Sequence, residues 1–162
     1  MQIEMKIRGL MVDPSTNMPI VILKDVNGDA LLPIWVGPYE ANAIAMEIEK
    51  SSAPRPMTHD LLKTLMHGLN AQLQRVVVSE LRDDTFYAVI WMDQQGETVT
   101  LDARPSDALA LALRADCPIF VEEEVLRTAK VLPHPVDSPG TSAELRQWLE
   151  NLGDEDLGKY KM

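Results

Sequence analysis

The sequence predicts an α+β fold: a mixed or antiparallel β-sheet core built from duplicated ββα units, with helices packed against it. Three observations carry this prediction. Runs of period-two hydrophobicity precede runs with helical spacing. The segments VGPYEANAIAM and ARPSDALALAL superpose when Pro38 is laid on Pro105, an offset of 67 positions. Each proline also follows a hairpin whose turn contains a glycine, Gly28 or Gly96. A repeat of this kind points to duplication and a pseudo-symmetric core.

The elements follow in order. MQIEMKIRGLMVD alternates Ile3, Met5 and Ile7 with Gln2, Glu4, Lys6 and Arg8, the pattern of a half-buried strand, and Asp13 and Pro14 end it. MPIVILKDVNGDALLPIWV reads as a hairpin with Asn27 and Gly28 in the positive-φ positions of a tight turn. GPYEANAIAMEIEK switches to helical spacing, stopped by Ser51, Ser52 and Pro54. RPMTHDLLKTLMHGLN is a second helix: Thr58 caps it, Leu61, Leu62, Leu65, Met66 and Leu69 fall on one side, and Gly68 and Asn70 end it. QRVVVSEL and FYAVIWMDQQGETVTLDA give three further strands, the last two joined by a turn around Gly96. RPSDALALALRA is a third helix, and PIFVEEEVL is one more strand whose Glu122, Glu123 and Glu124 form a solvated acidic edge. Alanines at alternate positions let each repeat helix lie close against the sheet.

The organisation is one domain and an appendage. Residues 1–131 form the domain, residues 132–140 a Pro-rich linker, and residues 141–162 a short helix with a frayed tail. Thr141 and Glu144 have capping-box spacing, and Leu145, Trp148 and Leu149 share one stripe, suited to docking on a partner or on the domain. At 162 residues and 46% hydrophobic content, the chain supports one real core. It has no apolar run long enough to span a membrane, and MQIEMKIRGL lacks the apolar centre of an export signal, so a cytoplasmic protein is expected. Cys117 is alone, which excludes an internal disulfide and a multi-cysteine zinc site. Lys and Arg number 15 against 25 Asp and Glu, a net charge of -10. Such a chain repels polyanions as a whole, so phosphate handling must use local positive groups or carboxylate-bound metal ions.

Three polar clusters stand at helix starts. Pro38 with Glu40, and Pro105 with Asp107, are explained by helix initiation alone: proline has no amide to waste at the first turn, and an acid offsets the dipole. Asp102, Arg104 and Ser106 exceed what a helix start requires, and a strand-to-helix junction is a common anion or metal site. An ion pair from Arg104 to Asp102 or Asp107 that fixes the loop is the structural alternative. In RPMTHD, Thr58 caps and Asp60 suits the dipole, whereas a protonated His59 is disfavoured there. A neutral His59 accepts a proton or binds a metal; the alternative is a bond to a neighbouring carbonyl. The sequence has no GxGxxG, GxxxxGK, GxSxG, HxxxH or HExxH motif and no aromatic-basic strand for stacking single-stranded RNA.

LPIWVGPYEANAIAMEIE, RPMTHDLL, FYAVIW and LDARPSDALALALRADCPIFVEEEVL, in this order, resemble the bifunctional nuclease domain family, formerly a domain of unknown function, over residues 3–130. The tail ELRQWLENLGDEDL is similar to the short carboxyl extension of some bacterial members. The resemblance implies an α+β domain, a homo-oligomer, and nuclease activity on DNA and RNA as described for plant members. It carries over the motif positions Arg55, Thr58, His59 and Asp60, and Asp102, Arg104, Ser106 and Asp107.

Phosphodiester hydrolysis needs an activated water, stabilised equatorial oxygens and help for the leaving oxygen. On that chemistry Asp102 and Asp107 are expected to hold one Mg²⁺ or Mn²⁺, Arg55, Arg104 and Ser106 to bind phosphate, and His59 to act as base. Thr58, Asp60 and Glu40 serve as structural caps. This site requires the RPMTHD and DARPSD helix starts to meet in one cleft. The alternative is a non-catalytic oligomerising or regulatory domain whose grooves bind a protein or small anion.

Overall fold

The structure, a computed structural model, describes residues 1–129; the linker and C-terminal helix expected within residues 132–162 lie outside the described residues. The chain runs through β1 (Gln2–Val12), β2 (Pro19–Asp25), β3 (Leu31–Trp35), α1 (Pro38–Ile48), α2 (Thr58–Gly68), β4 (Ala71–Arg82), β5 (Thr85–Gln94), β6 (Glu97–Ala103), α3 (Pro105–Ala115), β7 (Ile119–Glu122) and α4 (Glu123–Ala129). The fold is α+β: the strands form one seven-stranded sheet in the order β3-β2-β1-β7-β4-β5-β6. β1-β2-β3 and β4-β5-β6 are antiparallel meanders, each leading into a proline-initiated helix, α1 or α3. The repeated unit is therefore βββα, one strand longer than the sequence pattern suggested. β7 lies between the halves, antiparallel to β1 and parallel to β4, which makes the sheet mixed.

Two local expectations are corrected. Asn27 and Gly28 do not take positive φ; the tight turns instead fall at Asp83 (φ 50) with Asp84 (φ 57), and at Gln95 (φ 53) with Gly96 (φ 89). Paired positive φ is the geometry that matches strand twist in a two-residue hairpin loop. The β2–β3 connection is longer, closed by the Asp25 amide donating to the Ala30 carbonyl (2.9 Å), so it has no need of that geometry. The second correction concerns the acidic run. β7 is a central strand, and Glu123 and Glu124 occupy the first turn of α4. There they face the positive end of the helix dipole, and Arg127 pairs with Glu123 at 2.9 Å.

One core joins the sheet to the helices. Val21, Leu23, Val78, Ala88 and Val121 of the sheet meet Ile44 of α1 and Leu109 of α3, all buried. Ala108, Ala110 and Ala112 are buried on α3, so the small residues bring this helix close to its neighbours. Cys117 packs against the same core, and burial pushes its thiol up to about 11. α2 departs from the expected pattern. Its apolar residues do share a side, yet His59 is its buried residue, while Leu61, Leu65 and Leu69 are 60%, 54% and 57% exposed. α3 and β4 hold α2 by its flank, leaving that leucine face outside the core. No helix among the described residues is long and apolar enough to cross a membrane.

Candidate functional site

The DARPSD junction is shaped by Arg104, the extended residue before Pro105 opens α3. Asp107 follows in the first turn. The RPMTHD junction is organised one residue earlier than the sequence suggested: Met57 is the N-cap of α2 and Thr58 the first helical residue, so Thr58 is not the cap. The Asp60 carboxylate does the capping, accepting the Met57 amide at 2.9 Å. Met57 first, and then Arg114, hold the Asp60 carboxyl below the usual carboxylate range.

These helix starts meet. His59 Nε2 lies 2.9 Å from Asp107 Oδ1. The other Asp107 oxygen accepts Arg104 Nε at 2.9 Å, and Arg104 Nη1 donates to Glu40 Oε1 at 3.0 Å. A continuous chain, His59–Asp107–Arg104–Glu40, thus ties together the starts of α2, α3 and α1. Glu40 and Asp107 are equivalent acids of the internal repeat, and both grip one guanidinium. Burial alone would raise the Asp107 carboxyl, but the Arg104 and His59 contacts outweigh it and the net shift is downward. Asp107, then Glu40, raise the Arg104 guanidinium above its ordinary value. Gly37 contributes by absence: a Cβ there would overlap the Glu40 carboxylate, so the missing side chain lets Glu40 fold back toward Arg104.

Sequence reasoning missed Arg114. Its side chain is 5% exposed, and its Nε donates to Asp60 Oδ1 at 2.8 Å. Nη1 donates to the Ala110 carbonyl and Nη2 to the Ala43 carbonyl, each at 3.0 Å. Lys63 Nζ donates to the Arg114 carbonyl at 2.8 Å. One buried guanidinium therefore fastens α1, α2 and α3, and with them the His59–Asp107 contact. The available signal was spacing: Arg114 stands seven residues after Asp107, on the same helical face, in an otherwise apolar run.

Two cavities flank Arg104. The first is a groove of about 650 Å³ between α2 and β5-β6, with His59, Asp102, Arg104 and Asp107 at its polar end and a wall including Leu62, Leu65 and Leu101. Thr58 also lines it. The second, about 260 Å³, is lined by Gly37, Glu40, Asp84, Arg104 and Ser106, among others. Ser106 is only 7% exposed and its hydroxyl has no partner among the described residues. It therefore faces a different cavity from His59, with Arg104 bordering both. Arg55 is exposed and lines neither cavity, so the structure does not bring it to the other candidates.

The donor set does not fit the expected metal pair. Among the described residues no group of three or more His, Cys, Asp or Glu side chains gathers to hold an ion. Asp107 has one oxygen facing His59 and the other bonded to a guanidinium, so both of its oxygens are already engaged within the chain. Asp102, exposed on β6 beside the groove, is left as a lone carboxylate.

With this geometry in place, comparison with known proteins is decisive for the family. The bifunctional nuclease domain model matches residues 21–134. The chain belongs to the bifunctional nuclease domain family. An uncharacterized protein of Mycobacterium tuberculosis is 38% identical over 162 residues, covering 95% of this chain and 97% of that protein. Bifunctional nuclease 1 of Oryza sativa subsp. japonica is 27% identical over 116 residues, covering 70% of this chain and 35% of the rice protein. Bifunctional nuclease 1 of Arabidopsis thaliana is 27% identical over 109 residues, covering 65% of this chain and 34% of its own length. The chain thus spans about a third of each plant protein and nearly all of the bacterial one.

Proposed function

We propose that this protein is a nuclease that hydrolyses phosphodiester bonds of DNA and RNA at the His59–Asp107–Arg104 site. The observation that carries the reading is the 2.9 Å contact between His59 and Asp107, which joins two polar helix starts 48 residues apart at the mouth of a groove. Membership of a family with plant members named bifunctional nucleases supports the reaction class.

The chemistry follows from which atoms are engaged. Asp107 is an acceptor, so the proton of the His59 ring resides on Nε2 and leaves the Nδ1 lone pair to take a proton from water. Asp107 orients that ring, as a carboxylate does beside a general base. Arg104 spends Nε and Nη1 on the two acids, while Nη2 has no partner among the described residues and the side chain is largely exposed. That end is available to a phosphate oxygen and to the charge that builds on it during attack. Ser106 reaches the same phosphate only from the far side of Arg104, through the smaller cavity. No step is assigned to a metal held by Asp102 and Asp107 together. Asp102 is the remaining oxygen ligand for Mg²⁺ or Mn²⁺ arriving with substrate phosphates. A cytoplasmic setting and a homo-oligomer complete the reading.

The test uses highly purified protein and end-labelled single-stranded DNA and RNA, with Mg²⁺, Mn²⁺ or a chelator. The wild type cleaves both polymers. His59→Gln loses about 10²-fold or more, the size of a general-base contribution, with unchanged circular dichroism. Asp102→Ala abolishes any metal stimulation. Equal cleavage by all three preparations would assign the activity to a contaminant and reject the proposal.

A further inference from the structure

We propose that the small cavity beyond Arg104 is a ribose subsite, in which Glu40 accepts a hydrogen bond from the 2′-hydroxyl next to the phosphate that Arg104 holds. This deepens the nuclease reading and rests on it for the phosphate at Arg104. It adds a means of telling RNA from DNA.

The cavity of about 260 Å³ has its own set of open polar atoms. Ser106 is 7% exposed, and its hydroxyl has no partner among the described residues. A buried hydroxyl with nothing to bond marks a place for a polar ligand group. Glu40 gives Oε1 to Arg104 and keeps Oε2 without a partner among the described residues. Asp84, exposed in the turn between β4 and β5, also lines the cavity, and Trp35 and Phe86 supply apolar wall.

This composition selects the ligand. Two carboxylates repel a second phosphate, so the part of the substrate that enters is neutral. Carboxylates accept and do not donate at neutral pH, so that part brings O–H or N–H donors. Glu40 Oε1 lies 3.0 Å from Arg104 Nη1, which places its free oxygen close to a phosphate on the same guanidinium. The donor therefore stands next to the phosphate along the covalent chain. In a nucleic acid strand the 2′-hydroxyl does so, on the carbon adjoining the 3′-ester, whereas donors on the base are several bonds further away. DNA has no donor at that carbon. Ser106, holding the phosphate from the cavity side, fixes which way the ester faces. Gly37 lets the acceptor reach: a Cβ there would overlap Glu40 Oε2, so glycine leaves that oxygen its place at the cavity wall.

The experiment titrates the full, isotope-labelled chain with cytidine 3′-monophosphate, 2′-deoxycytidine 3′-monophosphate and inorganic phosphate, followed by two-dimensional NMR in the presence of a chelator. The ribonucleotide is expected to shift the amides of Ser106 and Thr85 and to bind at least about tenfold more tightly than the deoxynucleotide. Glu40→Ala should bring the two nucleotides to the same Kd, while Ser106→Ala weakens both alike and keeps their ratio. Circular dichroism matching the wild type shows that both variants fold. Equal wild-type affinity for the two nucleotides, or a ratio that survives in Glu40→Ala, overturns the proposal. So does the absence of binding at about 10 mM, or inorganic phosphate binding as tightly as the ribonucleotide. Binding is read without hydrolysis, so the two claims separate. Equal affinities in a protein that cleaves both polymers would remove the ribose subsite and leave the nuclease reading; the expected ratio in a protein that cleaves neither would do the reverse.

Discussion

Arg114 offers the sharpest test of how the site is held. Substituting Arg114→Met keeps an unbranched apolar stem and removes the charge that fastens three helices. Asp60 loses the guanidinium at 2.8 Å, and the Ala43 carbonyl on α1 loses its donor at 3.0 Å. The Asp60 carboxylate is 41% exposed, so water replaces much of that bond. The Ala110 carbonyl retains its place in the helix ladder. Hydrogen bonds to charged groups contribute about 1.5–3 kcal/mol where water is excluded, so the discounted sum is about 2 kcal/mol. For a chain of this size that corresponds to about 4–8 °C in Tm. Urea and thermal unfolding followed by circular dichroism at neutral pH measure it. Activity should fall further than stability alone explains, because α2 carries His59 against Asp107. Arg114→Lys restores a charge but not the fork that reaches Asp60 and Ala43 together, so it should recover little. A loss of stability under about 0.5 kcal/mol in Arg114→Met would refute the fastening role.

Further outcomes follow from the same contacts. Asp60 and Asp107 both have carboxyls lowered in the folded state. Their contribution is therefore fully present above the ordinary carboxylate range, and it is lost as pH falls through that range toward the folded values. Urea midpoints should drop with acid over this window, and Asp60→Asn should flatten the slope; an unchanged slope contradicts the assignment. Gly37→Ala places a methyl where the Glu40 carboxylate lies. Gly37 has φ -72, so backbone strain is absent, and the effect should be a weakened Arg104 clamp with stability changed by less than about 1 kcal/mol. A two-dimensional NMR map that leaves Arg104 unmoved would count against this. The Cys117 thiol, raised to about 11 by burial, should react with a thiol reagent at pH 8 far more slowly than a free cysteine. Rapid labelling of the native protein would show the burial argument to be mistaken.

Much of the fold was legible because the hydrophobic pattern was local. Period-two runs mark the strands, and the Pro38 and Pro105 repeat exposes the duplication in the sequence itself. The order of the sheet was not legible: nothing in IFVE announces a strand inserted between the two halves, since four residues carry no register information. The αL pair Asp83-Asp84 carries a weaker turn signal than Asn27-Gly28, because propensity ranks Asn-Gly higher while loop length decides whether a primed turn forms. For the site, residue chemistry requires His59 and Asp107 to converge, and they lie 2.9 Å apart, but nothing in the spacing of the two helix starts dictates that contact. The separation of Ser106 and Arg55 from them was not readable, because neighbours in sequence at a helix start point in different directions. The α2 stripe shows the limit most clearly. Leucines at helical spacing identify an apolar face, but they do not say whether core or an outer surface receives it.

The central claim is that His59 and Asp107 act as one unit on a phosphodiester. A double-mutant cycle in kcat/KM on a labelled single-stranded oligonucleotide tests it most directly, using His59→Gln, Asp107→Asn and the double variant. The account predicts that the double variant is no more impaired than the worse single one, since either change disables the same base. Losses that multiply, or variants as active as the wild type, would contradict it.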